Sequence, residues 1–119
     1  MIQQEIESIN SFLKTKLWMD FEVVKMGCSK VVLCGFIDEQ QEDIIRIEFE
    51  LACMYDGSFS FTYDGEVDFI SVVNREDAKE LVCRYDVTEE YTIFSLNGIS
   101  NSERFYIASR DIRLSYQKS

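Results

Sequence analysis

"IRIEFELACMYDGSFSFTYDGEVDF", residues 45–69, decides the fold of this chain. Its first part alternates: Ile45, Ile47, Phe49 and Leu51 fall on one parity, Arg46, Glu48 and Glu50 on the other. A period of two, with one apolar set and one polar set, predicts a strand with one buried and one wet face, as antiparallel sheets commonly have. Asp56-Gly57 follows, then a run in which Phe59, Phe61 and Tyr63 share a face, then Asp64-Gly65. Asp-Gly is favoured in tight hairpin turns because both residues tolerate positive φ. The stretch therefore predicts a meander, in which two turns flank one short strand and a further strand, "EVDFISVV", follows. A calcium loop of the EF-hand kind would need oxygen ligands where Phe59 and Phe61 stand.

On the N-terminal side, Ile2, Ile6, Ile9, Leu13 and Leu17 recur at steps of three and four among polar residues. That spacing predicts an amphipathic helix whose apolar stripe lies on the sheet. From Trp18 the period changes to two, and "DFEVVKM" and "SKVVLCGFID" read as a hairpin through Gly27, Cys28 and Ser29. On the C-terminal side, "NREDAKELVCRY" predicts a short second helix. Asn74 is its N-cap, Glu76 and Asp77 lie in its first turn, and Ala78, Leu81, Val82 and Tyr85 form its apolar face. "EYTIFSLNG" and "RFYIASRDIRLSYQ" return to alternation. Phe105 and Ile107 lie on one parity and Ile112, Leu114 and Tyr116 on the other, which predicts a bulge near Ser109 to Asp111. The elements add up to one α+β domain over residues 1–119. It comprises an N-terminal amphipathic helix packed on a curved, mainly antiparallel sheet of about six to eight strands, barrel-like in its curvature, and a short second helix.

Composition narrows the function. Twelve basic residues stand against 22 acidic ones, for a formal charge of -10. Nucleic-acid binding needs clustered Lys and Arg to displace counterions, and an anionic membrane repels a protein of this sign. A partner with a basic surface is the favoured kind, because a negative field steers it in. No basic, apolar and small-residue series marks a secretory leader, because Glu5 and Glu7 interrupt the first turns, and no apolar run approaches bilayer length; a cytoplasmic protein is expected. The four cysteines, Cys28, Cys34, Cys53 and Cys83, lack the close pairing of zinc knuckles and read as reduced, buried thiols.

There is no histidine, which removes the commonest general base and metal ligand. Carboxylates remain. Asp64, Glu66 and Asp68 alternate, so in a strand all three project from one face, and Glu48 and Glu50 widen that face if the register is favourable. Three readings compete: a solvated outer face, an acidic edge that binds a protein, and a catalytic or metal-binding cluster, for which the positioned partners are missing. No cofactor is expected, since each of the five glycines sits singly and none forms a phosphate loop.

"LWMDFEV", the "SKVVLCGFID" hairpin, "IRIEFE" and the terminal "RFYIASRDI" resemble segments of small bacterial immunity proteins of polymorphic-toxin and contact-dependent inhibition systems, with Trp18, Phe105 and Tyr106 carrying the likeness. The resemblance implies a non-enzymatic inhibitor that binds a cognate toxin and covers its active site, with no catalytic set. Asp64, Glu66, Asp68, Glu48 and Glu50 are then the residues expected to meet toxin Arg and Lys. The alternative is a curved sheet that binds a small ligand or carbohydrate, with hydrolysis by carboxylates. A third is a homo-oligomer formed through "IASRDIRLSYQ" as an exposed strand.

Overall fold

In a computed structural model, described here for residues 2–15, 19–37, 44–65, 67–98 and 104–116, the chain forms two helices and seven strands. They run α1 (Ile2–Lys14), β1 (Met19–Gly27), β2 (Lys30–Phe36), β3 (Ile45–Asp56), β4 (Ser60–Tyr63), β5 (Ile70–Val72), α2 (Lys79–Tyr85), β6 (Thr92–Asn97) and β7 (Arg104–Tyr116). The seven strands join one sheet in the order β4-β1-β2-β3-β7-β6-β5, and every neighbouring pair is antiparallel. This is the α+β architecture with a curved sheet that the periodicities predict.

The meander is not formed. β3 and β4 are consecutive in the chain but not paired: β4 lies beside β1, with Met19 opposite Tyr63 and Phe21 opposite Phe61. The order 4-1-2-3 is that of a Greek key. A short return suffices because β3 outlasts the β1–β2 hairpin and kinks past its tip. The register slips between Ala52 and Met54, and Leu51 turns to a φ of 51°, which exposes 53% of it to solvent although its parity predicts burial. Asp56-Gly57 is accordingly no hairpin turn. Gly57 is needed for space, because a Cβ there would meet Phe105 at 2.7 Å. The β1–β2 turn is the tight one: Cys28 and Ser29 hold φ of 53° and 59° between paired Gly27 and Lys30. The phase change in β7 falls where expected, and the extra residue sits opposite, on β3.

The sheet curls until its two edges meet. Phe61 of β4 and Phe69, next to β5, stack at 6.1 Å between centroids, and Tyr63 meets Phe69 edge-on at 5.2 Å. Phe69 also stacks on Phe21 at 4.5 Å. The result is a half-barrel closed by an aromatic seam. α1 fills its mouth, with Ile6, Ile9 and Leu13 buried in the same core as Leu33, Ile47, Phe49, Phe94, Ile107 and Ile112. Leu17 and Trp18 lie outside the described residues. Asn10 ties the helix to the edge: its amide donates to the Ile70 carbonyl at 2.8 Å and accepts from the Ile70 N–H at 3.0 Å. It caps the β5 edge as a neighbouring strand would. Asn10→Ala is expected to cost about 1–1.5 kcal/mol, since water replaces part of the lost pairing. Urea unfolding measures the cost, and amide exchange at Ile70 should speed up with it.

A second, smaller core lies on the outer face of the sheet, where Met54, Ile93 and Ala108 meet Ala78 and Val87, with Leu81, Val82 and Tyr106 beside them. The second helix is shorter than expected. Residues 75–78 form turns, and Asn74 accepts the Glu76 N–H at 3.0 Å, so it caps a turn rather than the helix. Tyr85 is 41% exposed instead of lying on the packed face.

Candidate partner-binding face

Of the five carboxylates singled out in the sequence, the four that lie among the described residues do not form one acidic face. The described residues between β4 and β5, Asp64, Gly65, Val67, Asp68 and Phe69, form a connection and no strand of their own. Tyr63 donates its hydroxyl to the Val67 carbonyl across this connection, and Gly65 takes a φ of 85°. Asp64 is buried and engaged within the fold. Asp68 is exposed and paired with Lys14 at 2.9 Å, fastening α1 to the same connection. Glu66 lies outside the described residues. Alternation fails here because a strand needs a partner to pair with, and the Tyr63 hydroxyl bond and the packing of Phe69 into the seam fix the connection in another shape.

Glu48 and Glu50 are brought together on the outer face of β3, but with cations. Lys30 lies 3.5 Å from Glu48 and 3.3 Å from Glu50, Arg46 is 3.6 Å from Glu48, and Arg113 is 4.0 Å from Glu50. Two carboxylates among three cations leave no negative patch for a cationic partner. Arg46 is on β3 itself, whereas Lys30 and Arg113 come from β2 and β7, and only the sheet order makes these two neighbours.

Among the described residues, the exposed negative charge is concentrated instead on the excursion that carries α2. Residues 74–90 hold six carboxylates, Glu76, Asp77, Glu80, Asp86, Glu89 and Glu90, against Arg75, Lys79 and Arg84. Among the described residues only Glu90 of the six makes an ion pair, with Arg110 at 3.2 Å. Glu90 is held below the usual carboxylate range by the Thr88 hydroxyl first, with its own backbone N–H and Arg110 adding to the effect. Arg75 contributes little to the outward field. Its guanidinium donates to the carbonyls of Thr88 at 3.1 Å, Tyr91 at 3.4 Å and Val87. This clamp closes the excursion at its base. At the helix end, Asp86 adopts φ 52° where glycine is usual, and the Val87 N–H returns to the Val82 carbonyl at 3.1 Å. The carboxylates thus stand on a platform fixed by a buried apolar underside and by a five-donor side chain turned inward.

The remaining shifted groups are phenols and a thiol. Burial pushes Tyr55 up to about 12, with the Asp56 charge adding to it, and its hydroxyl donates to the Ser58 carbonyl. Burial also raises Tyr63, aided by Asp68 and Asp64. The partial desolvation of the Cys53 thiol raises it, and the Glu90 charge acts in the same direction. A thiol shifted upward is a poor nucleophile. Cys34 is buried as expected, but Cys28, Cys53 and Cys83 are exposed, because a hairpin tip, a bulge and the outward side of α2 hold them. No group of metal-ligating side chains converges among the described residues, and no helix there is long and apolar enough to cross a membrane. The strand expected to be exposed is covered only in part: β7 lies between β3 and β6 from Tyr106 to Ser109, and from Arg110 to Tyr116 it pairs with β3 alone among the described residues. Comparison with known proteins returns no family model, no curated protein and no solved structure that matches this chain.

Proposed function

We propose that this protein is a non-enzymatic inhibitor that binds a basic protein partner, in the manner of the toxin-neutralising immunity proteins that its sequence resembles. The observation that carries the reading is the clamped α2 excursion, which holds five exposed carboxylates that make no ion pair among the described residues. In a chain of net charge -10, that arrangement steers a cationic surface and then meets it with side chains that need little reordering. The carboxylates of β3 serve the sheet, so the face that meets the partner is transferred from Glu48 and Glu50 to α2 and its flanks.

The test begins with the DNA flanking the gene, where the reading expects a neighbouring frame that ends in a compact basic domain; that domain is the partner, with association followed by stopped flow over a series of salt concentrations. The triple variant Glu76→Gln, Glu80→Gln, Glu89→Gln is expected to slow association at low salt by about 10-fold or more and to flatten the salt dependence. The far-UV circular dichroism should be unchanged, because all three side chains are exposed. Unchanged rates and salt slope would remove α2 from the interface. Absence of any complex with that domain would remove the inhibitor reading itself.

A further inference from the structure

The outer face of β5, β6 and β7 carries a feature that a capture surface does not require. Alternation along β6 turns Phe94 and Leu96 into the main core and Ser95 and Asn97 outward, yet these two polar residues are only 5% and 9% exposed. Their neighbour Ile93, also outward, is covered by the α2 excursion. Ser95 and Asn97 instead form the floor of a cleft of about 450 Å3, within the range of small-ligand sites, roughly 300–1,000 Å3. Ser71 lies opposite Ser95, with the two hydroxyl oxygens 3.1 Å apart, and Tyr106 lies opposite Ser95 on the other side. Arg104 stands opposite Asn97, and Asp77 closes the cleft from the α2 side.

Asn97 is the informative residue. Its backbone N–H donates to the Phe69 carbonyl at 2.9 Å and its side-chain amide donates to the Asp68 carbonyl at 2.8 Å, which fixes the orientation of the carboxamide. The side-chain oxygen is then left buried with no hydrogen-bond partner. An unsatisfied buried acceptor costs about 1–3 kcal/mol, a deficit that a donor in the cleft removes once the floor shifts enough to uncover the oxygen.

We propose that this cleft binds a neutral polyhydroxylated molecule of monosaccharide size. A hydroxyl both donates and accepts, which matches a floor made of two hydroxyls and one orphan carbonyl oxygen. The walls point the same way: Asp77 and Arg104 have opposite charges, so the cleft selects neither an anion nor a cation, while both pair well with hydroxyls. The Tyr106 ring supplies the apolar side on which the C–H face of a sugar packs. This site is independent of the protein partner proposed above, and Asp77 is left out of the triple variant so that the two remain separable.

The experiment is a titration of the full-length, 15N-labelled protein, followed by 1H–15N correlation spectra. The probes are glucose, galactose, mannose, N-acetylglucosamine, ribose and myo-inositol, with glycine as a zwitterion of comparable polarity. At least one polyol is expected to give saturable shifts at Ser71, Ser95, Arg104 and the Asn97 side-chain amide, with a Kd in the millimolar range. Ser71→Ala and Arg104→Gln, both at exposed positions that spare the fold, are expected to weaken binding about 5-fold or more each. The site is overturned if no polyol gives saturable shifts there, which would leave the Asn97 oxygen to water. It is overturned equally if glycine alone binds, or if both variants bind as the parent does.

Discussion

Replacing Phe69 with alanine is expected to lower the free energy of unfolding by about 3–5 kcal/mol, the usual cost of truncating a fully buried phenylalanine. The ring is 0% exposed and meets Phe21, Phe61 and Tyr63, which belong to β1 and β4 at one end of the sheet, while the residue itself leads into β5 at the other. No backbone hydrogen bonds join β4 to β5, so side chains supply the closure. Typical domains have about 5–15 kcal/mol in total, so this one substitution removes a large share. Urea unfolding monitored by far-UV circular dichroism gives the value. Amide exchange should rise most at β4 and β5 before it rises elsewhere, since these two lose their mutual support. The control is Phe59→Ala: Phe59 is 70% exposed, and a change within about 0.5 kcal/mol is expected. Equal effects at the two positions would mean that the seam does not hold the half-barrel shut.

Gly35→Ala is the second large effect, and it acts by excess rather than by loss. A Cβ at position 35 would lie 2.8 Å from Ile45 Cγ2, Met19 Sδ and Phe21 Cε1. Each of these residues is 1% exposed or less, so none has free space to retreat into. Overpacking at such a site costs about 1–3 kcal/mol. The measurement is the same unfolding curve, read together with the chemical shifts of the Met19 and Ile45 methyl groups, which should move while those of the α2 core stay in place. A stable variant with unmoved methyl shifts would show that the curl of the sheet at β1–β2–β3 can relax around one extra carbon.

The sequence is a good guide wherever a local period meets a complete partner surface. Ile6, Ile9 and Leu13 follow helical spacing and are buried, and Ile45, Ile47 and Phe49 follow strand spacing and are buried. It misleads where long-range closure overrides the local signal. Asp56-Gly57 reads as a hairpin because turn chemistry is local, whereas the partner of β4 is chosen by how far the sheet curls. Leu51 reads as core because parity is counted as if the strand were regular, and the kink at the hairpin tip turns it out. Asp64 and Asp68 read as one face, but the aromatic residues beside them are drawn into the seam and carry the two carboxylates to different surroundings. The polar cleft was visible only as "FSLN", an alternation indistinguishable from a wet face, because which outward residues become buried depends on where the α2 excursion lands.

The placement of β7 in the strand order also bears on synthesis. A chain emerging from the ribosome exposes β1 to β3, then β4, and these can assemble as a Greek key. β5 and β6 come out next and can reach α1 and the aromatic seam, but they have no strand of the first half to pair with, because the strand that separates them from β3 is encoded after both. Ile45 must wait for Tyr116 before the two halves become one sheet. Until then the edge of β3 and the apolar inner faces of β3 and β6 are open to wrong pairing, the condition in which nascent β-rich chains aggregate or engage chaperones. Slow codons or a pause just before residue 104 would prolong that interval, while a fast run through "RFYIASRDIRLSY" would shorten it.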